Sequence, residues 1–249
     1  MKVIVLDEGL YVYQFDPPAG EVEGLNFMAA VEDGKAMFLD TGYAANMAEA
    51  LEDIARRGAV PAGAVVSHYH PDHSGGLALL GDLDVWASDA WHATADAWRE
   101  PGGMSPVEPT LLVSERTVIR FGRRILELYP LPGHSDDSLA VIIDSVWLYA
   151  ADAVLLTNDG RPLLPSVHSR PVSRHLDAID WMADHAGLVF IPGHGAVMTD
   201  RAVRERDLGN RRRYIAAIAG ADGAVSFEGA TAACDPPFIG REWHEHNYR

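Results

Sequence analysis

The chain has 249 residues, 48% of them hydrophobic and 22% charged, with 20 Lys and Arg against 36 Asp and Glu. A chain this long can bury a large core unaided, and its single cysteine, Cys234, excludes an internal disulfide framework. The formal charge of -16 excludes a phosphate-backbone binder, whose affinity rests on clustered Lys and Arg, so no nucleic-acid partner is expected.

The N-terminal MKVIVLDEGL is too short in apolar residues for a secretory segment. Four short β-type runs follow one another in the first forty residues: KVIVL, YVYQF, LNFMAAV and KAMFLD, separated by Gly, Pro and acidic clusters. A helix is predicted from about Ala44, with Met47, Leu51 and Ile54 on one face, Arg56 and Arg57 in its last turn and Gly58 just beyond. GAVVSH reads as a buried strand running into a polar loop. A helix near Gly75–Leu80, the strand VWAS and a helix from about Asp89 to Trp98 come next. The Gly/Pro-rich stretch Glu100–Pro109 reads as a loop with the composition of a lid.

The second half repeats this order. Strands are predicted at Thr117–Phe121, Ile125–Tyr129, Leu139–Ile143 and Val146–Ala150, then a long loop Leu155–Pro171. A helix from about Val172 to Asp184, the strand LVFIP and a helix from about Asp200 to Ile218 complete it. The longest apolar stretch, Leu139 to Leu156, is broken by Asp144 and Asp152 and is not a membrane span. The basic clusters Arg201–Arg206 and Arg211–Arg213 alternate with acidic or apolar residues and read as a solvated helix face. Strands then helices, twice, predicts two packed sheets with helices outside, in one domain spanning residues 1–249. The tail from Gly220 is weakly patterned. The expectation is a cytoplasmic protein without a membrane partner; the sequence assigns no oligomeric state.

The chemistry is concentrated in Ser67-His68-Tyr69-His70-Pro71-Asp72-His73. Continued strand alternation would point His68 and His70 the same way, toward one metal ion. Asp72 and His73 lie beyond the turn at Pro71, where they would address a second ion a few ångströms away. Three further groups stand where apolar strands give way to small residues: His134 in LPGHSDDS, Asp152 in LYAADA and His194 in FIPGHG.

HYHPDH, Gly133-His134, Asp152, the GHG at 193–195 and FLDTG at 38–42 together resemble the metallo-β-lactamase-fold metallohydrolases, over about residues 25 to 215. The resemblance implies a four-layer αββα sandwich and two divalent metal ions. It implies one ion held by His68, His70 and His134, a second by Asp72, His73 and His194, and Asp152 bridging both. It implies Asp40 as a carboxylate that orients a metal-bound histidine. Five imidazoles and two carboxylates suit Zn²⁺, with Mn²⁺ or Fe as alternatives. The implied chemistry is attack by a metal-bridging hydroxide, with Asp72 shuttling the proton and Asp152 completing the catalytic pair.

Departures from particular subfamilies narrow the substrate. Secreted β-lactamases of the most similar dizinc subclass lack the bridging aspartate that Asp152 supplies. A glyoxalase II carries a substantial helical C-terminal domain, and only 55 residues follow His194 here. Acyl-homoserine-lactone lactonases keep all seven ligands but usually place Tyr three residues after the bridging aspartate, where this chain has Leu155. The expectation is a lactonase-like or glyoxalase II-like hydrolase of a small ester, lactone or thioester, its subfamily unassigned. Phosphodiester or phosphonate-ester hydrolysis, aided by Arg161 and Arg170, is one alternative. An iron-dependent persulfide-dioxygenase-like enzyme or a ligand sensor is another. Tyr69, Trp91, Met104, Leu155, His168 and Arg170 are the candidate walls of a small-molecule pocket. The tail His244-Glu245-His246-Asn247 reads as solvated, with an extra metal site from His244 and His246 as the alternative.

Overall fold

The computed structural model describes residues 1–99, 105–220 and 225–248. The four early runs form β1 (Lys2–Asp7), β2 (Leu10–Phe15), β3 (Leu25–Glu32) and β4 (Lys35–Leu39), paired antiparallel in that order. Helix α1 (Ala44–Arg56) then returns the chain to β5 (Val60–Val65), parallel to β4. After the short helix α2 (Pro71–Ser74) and a 3₁₀ turn at Leu77–Leu80 comes β6 (Asp84–Ser88). Helix α3 (Trp91–Ala97) and β7 (Leu111–Val113) close a seven-stranded mixed sheet, β1-β2-β3-β4-β5-β6-β7.

The second sheet is built from β8 (Thr117–Phe121), β9 (Arg124–Pro130), β10 (Leu139–Ile143), β11 (Trp147–Leu155) and β12 (Val189–His194), in the order β12-β11-β10-β9-β8. Its crossover between the parallel strands β11 and β12 contains α4 (Ser173–Asp184), and α5 (Arg201–Ala219) follows β12. Strand alternation separates the layers. On β3, Met28 and Ala30 face β10 side chains Val141 and Ile143 between the sheets, while Phe27 and Ala29 pack toward Met47 and Ile54 of α1. On β10, Ala140 and Ile142 turn the other way, toward Ile179 and Met182 of α4 and Leu208 and Ile215 of α5. The result is the expected αββα sandwich, in which each buried Leu, Ile or Phe contributes about 1.5–3 kcal/mol.

Three expectations change. The helix expected near Gly75–Leu80 is a 3₁₀ turn at Leu77–Leu80, and a separate short helix opened by Pro71 precedes it, so Asp72 and His73 sit on a helical turn rather than in a loop. Strand β11 runs three residues past Asp152 instead of ending there; Ala151 takes a φ of 44° and shifts the register with β12. The face of α5 is not wholly solvated. Arg204 donates to the carbonyls of Ala186 and Met198, and Arg211, fully buried, pairs with Asp207 and donates to Leu155 and Leu163 carbonyls. These guanidiniums satisfy backbone groups of the loops around the second sheet, which local charge alternation does not reveal.

The tail likewise packs. Helix α6 (Phe227–Thr231) and Phe238 join the core beneath α5, and Asn247 is buried against the 163–170 loop. His244 bonds Tyr214 Oη at 3.1 Å and the Val225 carbonyl at 2.9 Å, so both its nitrogens serve packing rather than an additional metal site. Among the described residues no helix is long and apolar enough to cross a membrane.

Candidate metal centre

Strands β4, β5 and β6 run parallel, so their C-terminal ends share one edge of the first sheet, and the ends of β11 and β12 meet it from the second. Asp40 directly follows β4, the His68–His73 segment follows β5, His134 follows β9, and His194 is the last residue of β12. The backbone N–H of Leu139 donates to the Ser67 carbonyl at 2.7 Å, tying the two sheet edges together beside the site.

Two clusters result: His68, His70, His134 and Asp152, and Asp72, His73 and His194. In the first, His70 Nδ1 lies 2.9 Å from His68 Nε2 and 3.1 Å from His134 Nε2. In the second, Asp72 Oδ2 lies 3.2 Å from His194 Nε2 and 3.5 Å from His73 Nε2. Asp152 stands between them. Its Oδ2 is 3.5 Å from His134 Nε2 and 3.3 Å from His194 Nε2, while Oδ1 is 3.2 Å from His73 Nε2.

The outer nitrogens fix which ring atoms face inward. His134 Nδ1 donates to the Ser166 carbonyl at 2.8 Å and His194 Nδ1 to the Gly24 carbonyl, so that Nε2 is the ring atom of each that faces inward and, in the neutral form, carries the free lone pair. His73 Nδ1 is held by Asp40 Oδ2 at 2.6 Å. Lone pairs facing one another at about 3 Å repel unless something positive sits among them. Among the described residues, His73 Nε2 and Asp152 Oδ1 are buried without a hydrogen-bond partner, as is His70 Nε2. These donors fit a divalent cation.

Electrostatics agree. Burial pushes His70 down to about 2 and His68 well below the ordinary imidazole range, so both present neutral rings. Burial opposes protonation of His73 and His194 too, yet Asp152 and its neighbouring carboxylates lift both well above that range. Asp152 and Asp72 stay ionised despite burial because of those same histidines. The field that favours a proton here favours a metal ion more.

Backbone choices make room for this crowding. A Cβ on Gly193 would lie 2.3 Å from Asp152 Oδ1, and Gly195 takes a φ of 96° to turn the chain. Asp40, with a φ of 61°, accepts from Ser67 N, Ser67 Oγ, His73 Nδ1 and Tyr149 Oη, each at 2.6 Å. Strain of this kind costs about 1–3 kcal/mol per residue and persists only where surrounding bonds impose it.

A chamber of about 340 Å³ opens over the clusters, walled by Glu23, Trp98, Leu155, Ser166, His168, Trp243 and His246. Burial lifts the Glu23 carboxyl above the usual range, although His194 pulls it down. Of the expected pocket residues, Leu155 and His168 line this chamber. Tyr69 lines an adjoining groove, and Trp91 packs on Tyr69 with ring centroids 4.9 Å apart. Arg170 instead donates to the carbonyls of Val167, Ser169 and His246. Met104 and residues 100–104 of the expected lid lie outside the described residues.

The sequence profile of the metallo-beta-lactamase superfamily matches residues 23–202, which contain both clusters. The chain belongs to that superfamily. Over 114 residues it is 32% identical to a human protein, acyl-coenzyme A thioesterase MBLAC2; the match covers 37% of this chain and 40% of that one. A metallo-beta-lactamase from Pontibacter korlensis superposes with a TM-score of 0.67 at 19% identity, covering 84% of this chain and 99% of its own. A metallo-beta-lactamase family protein from Thermus thermophilus gives 0.65 at 20% identity, covering 98% and 92%. At such identities the two structures speak to the superfamily's fold.

Sequence reasoning missed Gln14 and Asn26. Both donate to the Gly195 carbonyl, at 2.8 and 2.7 Å, and Asn26 also to the Pro192 carbonyl at 3.0 Å, pinning the His194 turn onto the first sheet. It also missed Glu23, Trp98 and Trp243, which local patterning does not connect to a site, and it named His246 only for an extra metal site rather than for this chamber. The one available signal was a polar residue within an otherwise apolar strand, as Asn26 is in LNFMAAV.

Proposed function

We propose that this chain is a metal-dependent hydrolase that cleaves a carboxylic ester, lactone or thioester. The observation that carries this reading is Asp152, whose two oxygens address the two ligand clusters at 3.2 to 3.5 Å. In this reading His68, His70 and His134 hold one divalent ion, Asp72, His73 and His194 a second, and Asp152 spans both, with Zn²⁺ favoured by the donor set. When bound, such ions supply water activated near neutral pH and polarise the bond under attack.

The chain's own groups do the rest. Ser166, Gly24 and Asp40 fix the tautomers of His134, His194 and His73. Asp72, its carboxylate kept ionised against burial by His73 and His194, faces the chamber and carries the proton from the attacking water toward the leaving group. Trp98 and Trp243 restrict water around the reacting bond.

Two points favour acyl over phosphoryl substrates. Among the described residues lining the chamber there is no Lys or Arg, while Glu23, Asp72 and Asp152 make it acidic. Arg161 is paired with Asp159 and Arg170 with backbone carbonyls. The partial likeness to a human acyl-coenzyme A thioesterase supports the thioester member of the class.

The test is acid release in a pH-stat by zinc-loaded protein offered lactones, aryl esters, thioesters, β-lactams and phosphodiesters, each with a chelator control. Chelator-sensitive acyl turnover is expected. Turnover of phosphodiesters alone would overturn the reading.

A further inference from the structure

Beside the chamber lies a larger cavity of about 660 Å³, lined by Tyr69, Pro71, Ala78, Ala95, Trp98 and Val107 among others. The two spaces share Trp98, whose indole packs edge-on against the His70 ring with centroids 4.7 Å apart. Their chemistry differs sharply. The chamber lining includes the carboxylates of Glu23, Asp72 and Asp152 and several imidazoles, whereas among the described residues the groove lining carries no carboxylate and, besides Tyr69, has Tyr43, Ser74, Arg99 and Ser105 as its polar members. The Tyr69 hydroxyl is already spent on the Val107 carbonyl at 2.9 Å, so this side chain adds its ring to the apolar wall formed by Pro71, Ala78, Ala95 and Val107.

We propose that this groove binds the acyl chain of the substrate, a linear apolar chain of medium length, while the chamber holds the scissile carbonyl. Trp98 is the hinge of that division, with one side toward the ligand histidines and the other toward the groove. Against Pro71, Ala78, Ala95 and Val107, away from Arg99, a charged or strongly hydrated group would lose its water without gaining a partner, so headgroup and leaving group are directed to the chamber mouth instead. The walls also contain small residues where a long side chain would fill the space. Ala78, exposed on the 3₁₀ turn at Leu77–Leu80, is such a position. The proposal rests on the acyl-hydrolase reading and adds to it a chain-length preference and the residues that set it.

The experiment uses metal-loaded wild type and Ala78→Trp. kcat/KM is measured for a series of thioesters from acetyl through butyryl, hexanoyl and octanoyl. In parallel, binding of octan-1-ol and butan-1-ol is followed by quenching of tryptophan fluorescence. For the wild type, kcat/KM should rise by about fourfold per added methylene, the equivalent of about 0.8 kcal/mol per buried CH₂. Octan-1-ol should bind more tightly than butan-1-ol. Ala78→Trp should flatten both trends while its far-ultraviolet circular dichroism remains that of the folded chain.

Acyl turnover with no chain-length trend would remove the groove proposal and leave the hydrolase reading standing. No acyl turnover, with chain-length-dependent alkanol binding that Ala78→Trp abolishes, would overturn the hydrolase reading and leave the groove as an apolar-chain site only. Absence of both would remove both.

Discussion

Tyr149, on β11 of the second sheet, donates its hydroxyl to Asp40 at the end of β4 in the first, across 2.6 Å. The same Asp40 oxygen accepts from His73 Nδ1 at 2.6 Å, so a residue of one sheet steadies an imidazole of the candidate metal centre through a residue of the other. Asp40 is fully buried and held at a φ of 61°. Its orientation therefore depends on its partners rather than on local backbone preference.

Tyr149→Phe removes one of those partners and keeps the ring that packs between the sheets. We expect the variant to fold with metal affinity lowered about 10-fold, at the low end of what loss of an outer partner costs. Titration in zinc buffers of defined free concentration reads this directly. An unchanged affinity would reduce Tyr149 to a packing residue.

Gly193 tests the crowding around Asp152. A methyl group there would meet Asp152 Oδ1 at 2.3 Å and His73 Cε1 at 2.8 Å. Gly193→Ala should displace the carboxylate and sharply reduce bound metal, while far-ultraviolet circular dichroism remains that of the folded chain. Full metal occupancy in this variant would mean that Asp152 need not stand where it does.

The legible and illegible parts of this chain divide by sequence distance. Strands such as LNFMAAV announce themselves by local composition, and the His68–His73 string places four candidate ligands within six residues. Asp152 was legible as a residue but not as a conformation, because nothing in LYAADA signals that Ala151 adopts a φ of 44° and lets the strand continue. Gln14 and Asn26 act on Gly195 across more than 160 residues, and no local periodicity encodes such a bond. The tail was misread for the same reason. Its polar residues look solvated until the 163–170 loop and Tyr214 are placed against them.

Asn247 shows what that tail does. Its side chain accepts from Val167 N at 2.9 Å and donates to the Pro165 carbonyl at 2.7 Å and Tyr214 Oη at 2.8 Å. The loop it braces carries Ser166 and His168 into the chamber, and the neighbouring His246 lines it directly. Asn247→Ala leaves buried groups unsatisfied and should cost about 1–3 kcal/mol. On the acyl-hydrolase reading KM should rise and kcat fall together, because the loop that loosens walls the chamber and also carries the Ser166 carbonyl that holds His134. Urea denaturation together with steady-state kinetics checks both parts; a selective loss of kcat with KM intact would contradict the bracing role.

His175, behind Gly133 and outside the ligand set itself, provides a pH prediction. It lies on α4, fully buried, and among the described residues neither ring nitrogen has a hydrogen-bond partner. Burial pushes its pKa from 6.5 down to about 3. Below pH 6.5 the unfolded chain therefore takes up a proton that the folded chain refuses, and stability is lost as the pH falls through this window toward 3. The slope from one such group approaches about 1.4 kcal/mol per pH unit. His175→Leu removes the titrating group and two unsatisfied nitrogens at a similar volume. The variant should be closer to wild-type stability at pH 8 and progressively more stable than wild type between pH 6 and pH 4. Denaturant midpoints across that range measure the difference, and parallel curves for the two proteins would show that His175 does not titrate with unfolding.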